Sequence, residues 1–124
     1  MRVAMDASAL MMPVEAGVRV FEELDRVLGE YDPVVPAAVV DELDGLAGDR
    51  GEAGRAARVG RDLARRCETV ETEASYADDA LVELVREGGA DAVVTNDGPL
   101  RERLRATGAP VIHLRGRNKL TVTD

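Results

Sequence analysis

Apolar positions change period repeatedly along the chain, and the changes predict short strands alternating with helices. Residues 2–6 are apolar up to a terminal acid, the pattern of a buried strand. Pro13 then opens a helix in which Val14, Val18, Phe21, Leu24 and Leu28 recur at steps of three and four, with Gly29 as its stop. Residues 32–36 read as a brief second strand. Residues 37–46 read as a short helix with Val39, Val40, Leu43 and Leu46 on its apolar side. Residues 47–54, rich in Gly and charge, read as a loop. Ala56, Val59, Leu63 and Cys67 mark a third helix, and residues 68–71 a third strand. Residues 75–88 read as a helix capped by Ser75, with Leu81, Leu84 and Val85 turned inward. A strand over 90–95, a helix over 97–107 ended by Gly108 and a last core strand over 110–114 complete the series. Helices alternating with short apolar strands predict the α/β class: one three-layer α/β/α domain around a central parallel sheet of about five strands. That domain is expected over residues 1–114, with 115–124 as an edge strand or a basic tail.

Composition narrows the picture. The 124 residues suit one domain, and 45% of them are hydrophobic, enough for a single core. Only Phe21, Tyr31 and Tyr76 are aromatic, so the core is built from Val, Leu, Ala and Met, and no aromatic platform for stacking nucleic-acid bases is expected. The formal net charge is -8, and Lys119 is the only lysine. An acidic surface so poor in Lys suits high salt, where carboxylate repulsion is screened, and points to a halophilic habitat. At ordinary ionic strength it opposes tight, sequence-independent nucleic-acid binding. Cys67 is alone, which excludes an intrachain disulfide and fits a small buried residue in a reducing compartment. No basic head precedes an apolar run, so no signal peptide is expected. The apolar stretches are broken by Pro13, Pro33 and Pro36 and fall short of the ~20 residues of a membrane span. A cytoplasmic protein with no membrane partner is the expectation.

The acids carry the candidate chemistry. In open α/β sheets the working site lies beyond the carboxyl ends of the strands, where strand order reverses. Asp6 closes the first strand and Asp97 follows the fourth. Glu42 lies on the helix after the second strand, and Asp79 in the first turn of the helix after the third. The four are expected to converge on one edge. Each alone has an ordinary explanation: Asp6 and Asp97 as helix caps, Asp78 and Asp79 as partners of a helix dipole, Glu42 as a solvated surface acid. Four crowded carboxylates raise one another's pKa, and a hard divalent cation such as Mg²⁺ relieves that repulsion.

The pattern around these acids resembles the PIN domain family. Residues 3–10 (VAMDASAL) look like its opening strand, acid and small hydroxyl residue. Residues 39–46 (VVDELDGL), 76–83 (YADDALVE) and 93–97 (VVTND) with 100–104 (LRERL) resemble its second, third and fourth motifs, in order, across nearly the whole chain. The resemblance implies a Mg²⁺- or Mn²⁺-dependent endoribonuclease. Asp6, Glu42, Asp79 and Asp97 would be its metal ligands or would orient metal-bound water. Ser8 and Thr95 would support them, and Asp78 would be an auxiliary acid. The pattern departs at Pro99, where many relatives carry a further acid, which leaves a complete second metal site open. The compact length is similar to the toxin half of a VapC-type toxin–antitoxin pair. The Tyr-Ala-Asp-Asp stretch and the Arg-rich end look more like archaeal and eukaryotic nucleases of ribosomal RNA processing. RNA (rRNA or tRNA), an antitoxin protein and a second copy of the chain are the partners this resemblance implies.

Arg101, Arg115, Arg117 and Lys119 are the candidates for holding RNA phosphates. The arginines of the third helix, from Arg55 to Arg66, are expected to pair with neighbouring acids instead. His113 reads as structural. Two other classes remain. One is a non-catalytic PIN-like module that binds RNA or a partner. The other is a receiver-like or phosphatase domain with an Asp nucleophile. Ser8 counts against the latter, standing where a phosphatase of the haloacid-dehalogenase type carries a second Asp.

Overall fold

The computed structural model describes residues 1–123. Six strands and six helices follow one another: β1 (Arg2–Met5), α1 (Ala7–Glu15), α2 (Val20–Leu28), β2 (Asp32–Pro36), α3 (Ala37–Ala47), α4 (Gly51–Ala64), β3 (Glu68–Val70), α5 (Ala77–Arg86), β4 (Ala92–Val94), α6 (Gly98–Arg105), β5 (Val111–Arg115) and β6 (Lys119–Thr123). The strands form one sheet in the order β3-β2-β1-β4-β5-β6. The first five run parallel and β6 returns antiparallel to β5. The sheet thus has six strands, one more than the apolar runs predict, because β6 is half polar and buries only Leu120. Helices flank the sheet in a three-layer α/β/α arrangement, with α1, α3 and α4 packed together and α5 against α6. β1 lies in the middle, and its Val3, Ala4 and Met5 are fully buried, which explains its unbroken apolar run. No described helix is long and apolar enough to cross a membrane.

Three local readings change. The first helix begins at Ala7, not Pro13, because the Asp6 carboxylate caps it by accepting the Ala9 N–H at 2.8 Å. Pro13 sits inside that helix, which ends two residues later. Gly17, at φ +67°, then turns the chain toward α2. The apolar stripe from Val14 to Leu28 runs across this break, with Val18 buried in the connection, so one period covers two helices.

The loop expected over 47–54 is shorter, since α4 starts at Gly51. This helix turns its smallest residues inward: Gly54, Ala56, Ala57, Gly60 and Ala64 are buried, while Val59 and Leu63 are only half-buried and Cys67 lies beyond its end. The reason is close packing on α1. A Cβ added at Gly60 would sit 3.1 Å from the Leu10 carbonyl oxygen. Finally, Ser75 does not cap α5. Tyr76 occupies the N-cap position, and no side chain accepts from the exposed N–H groups there.

Candidate active site

Strand order reverses between β1 and β4, and both strands run the same way. The residues that follow them therefore meet at one edge of the sheet. The Asp6 N–H donates to the Val94 carbonyl at 3.2 Å, and the Thr95 N–H to the Ile112 carbonyl at 3.0 Å. Asp6 and Thr95 are the only polar or charged side chains buried among the described residues. The Asp6 Oδ1 accepts from Ala9 N–H and from the Ser8 hydroxyl, both at 2.8 Å, and its Oδ2 accepts from the Thr95 hydroxyl. These bonds take three of the four lone-pair directions of the carboxylate and leave one on Oδ2.

The two hydroxyls also hold the loop after β4. Thr95 Oγ1 accepts the Asp97 N–H at 3.0 Å, and Ser8 Oγ accepts the Asn96 N–H at 3.0 Å. Asn96 Oδ1 in turn accepts the Leu114 N–H at 2.9 Å, tying the end of β5 to the same loop. Asp97 Oδ2 caps α6 by accepting the Leu100 N–H at 2.9 Å.

Four carboxylates feel one another here. Burial pushes the Asp6 carboxyl up to about 6, against its three hydrogen bonds, with the charge of Asp78 adding to the rise. Glu42 is raised by partial burial and then by the charges of Asp78 and Asp97. Asp78 is raised by partial burial and by Asp97, partly offset by Arg103. Among the described residues none of Asp6, Glu42, Asp78 and Asp97 has a salt-bridge partner.

Asp79 stands apart. Its Oδ1 pairs with Arg103 Nη2 of α6 at 2.8 Å. Successive helical residues point about 100° apart, so one acid of the pair faces the other carboxylates and its neighbour faces α6. The arrangement gives Asp78 the place expected of Asp79. In the sequence the register of residues 79–82 (DALV) favours Asp79, and nothing there shows the pull of Arg103, which lies on another helix.

The donor set is all oxygen, and no protein cation among the described residues pairs with it. A hard divalent cation suits both properties. Among the described residues no three of the His, Cys, Asp and Glu side chains are gathered closely enough to hold an ion together. An ion that fits this site is one held by one or two carboxylates and its own waters, the usual habit of Mg²⁺.

Basic groups flank one side. β5 ends at the same edge, and the turn into β6 brings exposed Arg115, Arg117 and Lys119 there. These three and Arg101 are in no salt bridge among the described residues, while Arg55, Arg61 and Arg65 of the α4 region pair with Glu52, Asp44 and Asp62. His113 Nε2 lies 2.7 Å from the Thr123 hydroxyl, linking β5 to β6. A cavity of about 560 Å³ around Tyr31, Asp25 and Arg66 lies at the opposite end of the sheet, far from the acids.

A family model described as a PIN like domain matches residues 3–117. Among solved structures, the PIN domain endonuclease Utp24 superposes with a TM-score of 0.80 at 28% identity, covering 98% of this chain and 90% of that one. A domain of a functionally unknown protein from Methanocaldococcus jannaschii DSM 2661 superposes with a TM-score of 0.68 at 18% identity, over 95% of this chain and 94% of that one, a likeness of fold. Comparison with curated proteins gives no match.

Proposed function

Since the chain belongs to the PIN-like domain family, matched over residues 3–117, we propose that it is a metal-dependent endoribonuclease hydrolysing RNA phosphodiester bonds. The observation that carries this reading is the set of Asp6, Glu42, Asp78 and Asp97 at the switch point of the sheet, mutually repelling and without a cationic partner among the described residues. The likeness to an endonuclease over 98% of the chain supports it.

A bound Mg²⁺ or Mn²⁺ would activate water and stabilise charge on the leaving oxygen. The chain's own residues do the rest. Ser8 and Thr95 fix the Asp6 carboxylate so that one lone pair of Oδ2 stays available. Glu42 and Asp78 are raised by partial burial and by neighbouring carboxylates, and a bound cation would relieve that repulsion. Asp97 ties the site to the start of α6. Arg101, Arg115, Arg117 and Lys119 hold phosphates on the β5–β6 side. Asp79 braces α5 against α6 through Arg103. Ribosomal or transfer RNA is the substrate class, and the Tyr-Ala-Asp-Asp stretch favours a processing role over a toxin paired with an antitoxin.

The test is incubation of the protein with ribosomal and transfer RNA at high and low salt, with Mg²⁺, Mn²⁺ or EDTA, beside Asp97→Asn. Discrete cleavage that needs metal and is lost in the variant is the expected result. RNA retained without turnover under all these conditions would instead establish a non-catalytic binding module, a reading favoured by Pro99 and by the spacing of the carboxylates.

A further inference from the structure

Of the three aromatic side chains, one stands at the edge that carries the acids. Phe21 is buried, and the Tyr31 hydroxyl donates to the Phe21 carbonyl at 3.3 Å; both belong to the other end of the sheet. Tyr76 is 64% exposed, and its hydroxyl has no hydrogen-bond partner among the described residues. β3 is parallel to β2, its one neighbour among the described residues, so the chain leaves it at the catalytic edge, and Tyr76 ends that connection two residues before Asp78.

Two observations make this exposure informative. Tyr76 holds the N-cap position of α5, where Ser, Thr, Asp or Asn accepts an N–H and Tyr does not, and no side-chain cap is made. The backbone leading to it is nonetheless held in place. Glu83 Oε2 accepts the Glu73 N–H at 2.9 Å, Glu83 Oε1 accepts the Ala74 N–H at 3.0 Å, and the Thr72 hydroxyl donates to the Ala74 carbonyl at 2.8 Å. A braced loop thus presents an exposed ring, at a position where the local rule for helix starts is broken. Such breaks concentrate at functional sites.

We propose that Tyr76, a single ring where the composition offers no aromatic platform, is a positioning residue that stacks on an unpaired base of the RNA strand beside the cleaved bond. This rests on the RNA-nuclease reading and assigns a base contact of that site to one side chain. A protein partner is disfavoured by the surroundings. The other exposed large apolar residues among those described, Met1 and Val122, lie before β1 and on β6, so no apolar patch surrounds the ring. A base fits, because every base has an uncharged face, and stacking tolerates sequence while requiring the base to be free. On a chain of net charge -8, where phosphate contacts are confined to one flank, stacking grips the strand without meeting the acids' repulsion.

The chain has no tryptophan, so Tyr76→Trp places a single indole reporter at the site. In an Asp97→Asn background with Mg²⁺, an end-labelled RNA is titrated, single-stranded or annealed to its complement. Anisotropy reads binding and indole emission reads stacking. Emission is expected to fall as the single strand binds, and not with the duplex. In cleavage assays with otherwise native protein, an abasic nucleotide beside the cut is expected to lower kcat/KM about 10-fold. The same change should leave Tyr76→Ala unaffected, while Tyr76→Phe behaves as the parent. Single-stranded RNA that binds without altering the emission, or an abasic penalty equally large in Tyr76→Ala, overturns the stacking role and leaves the nuclease reading standing. Failure of the parent protein to bind or cleave any RNA overturns both.

Discussion

Replacing Asp6 by Asn should make the metal-free protein more stable, and more so as pH rises. Burial lifts the Asp6 carboxyl from its ordinary 3.8 to about 6. Between those values the folded protein holds a proton that the unfolded chain has released, so stability falls as pH climbs through this window. The contribution is fully present below about pH 4 and lost above about pH 6. A difference of this size in proton affinity corresponds to about 3 kcal/mol. Asn cannot ionise and escapes that loss. Its amide oxygen can keep the bonds from Ala9 N–H and Ser8, while its NH₂ faces Thr95 Oγ1. The Thr95 proton can then turn to the Ser8 hydroxyl, 3.5 Å away. Urea denaturation of Asp6→Asn and the parent in EDTA, from pH 4 to pH 8, should show near-equality at pH 4 and a gap approaching ~3 kcal/mol at pH 8, roughly 10 °C in Tm. Adding Mg²⁺ should stabilise only the parent and narrow the gap. A variant no more stable than the parent at pH 8, or a gap independent of pH, would refute this account of the buried carboxylate.

The two acids at the start of α5 should separate in kinetics: Asp78→Asn is expected to lower kcat/KM by ~100-fold or more, and Asp79→Asn by less than ~10-fold, because the latter loses only its bridge to Arg103. Thr95→Val removes a hydrogen bond that lowers the Asp6 pKa, so a pH–rate profile should show the acid limb displaced to higher pH, with activity down ~10–100-fold. Gly60→Val drives a side chain against the Leu10 carbonyl and should cost ~1–3 kcal/mol in chemical denaturation. Glu23, lowered to about 2 by Arg26 and by the Leu120 N–H, supplies stability that is present above its ordinary range and lost as pH falls toward 2. Glu23→Gln should speed amide exchange at Leu120, where the parent carboxylate accepts at 2.9 Å.

What the chain reveals of itself differs between its parts. Strands buried on both faces, such as β1 and β4, announce themselves as unbroken apolar runs, and their terminal acids are visible by position. The first helix is misread because its start is set by one carboxylate, while the apolar period continues smoothly through a turn at Gly17. α4 misleads for the opposite reason: the face it buries is Gly and Ala, which carry little hydropathic signal, and Val59 and Leu63 are not its inward side. At the site, the convergence of Asp6, Glu42 and Asp97 follows from parallel connection rules. The choice between Asp78 and Asp79 does not, because it depends on the position of Arg103 on a different helix.

The strand order has a consequence for synthesis. Asp6 and Glu42 lie in the half of the sheet made first, Asp78 and Asp97 in sequence translated later, and Thr95 meets Asp6 across 89 positions of chain. A nascent chain can pair β1 with β2 and β3 while the neighbouring place of β4 is still vacant. Until β4 and the loop after it arrive, Asp97 is missing and Asp6 lacks one of the two hydroxyls that orient it, that of Thr95. The growing polypeptide therefore has no assembled cutting centre until β4 and the loop after it have been made and paired with β1. Competence waits for the later half of the sheet, a delay built into topology rather than supplied by an inhibitor.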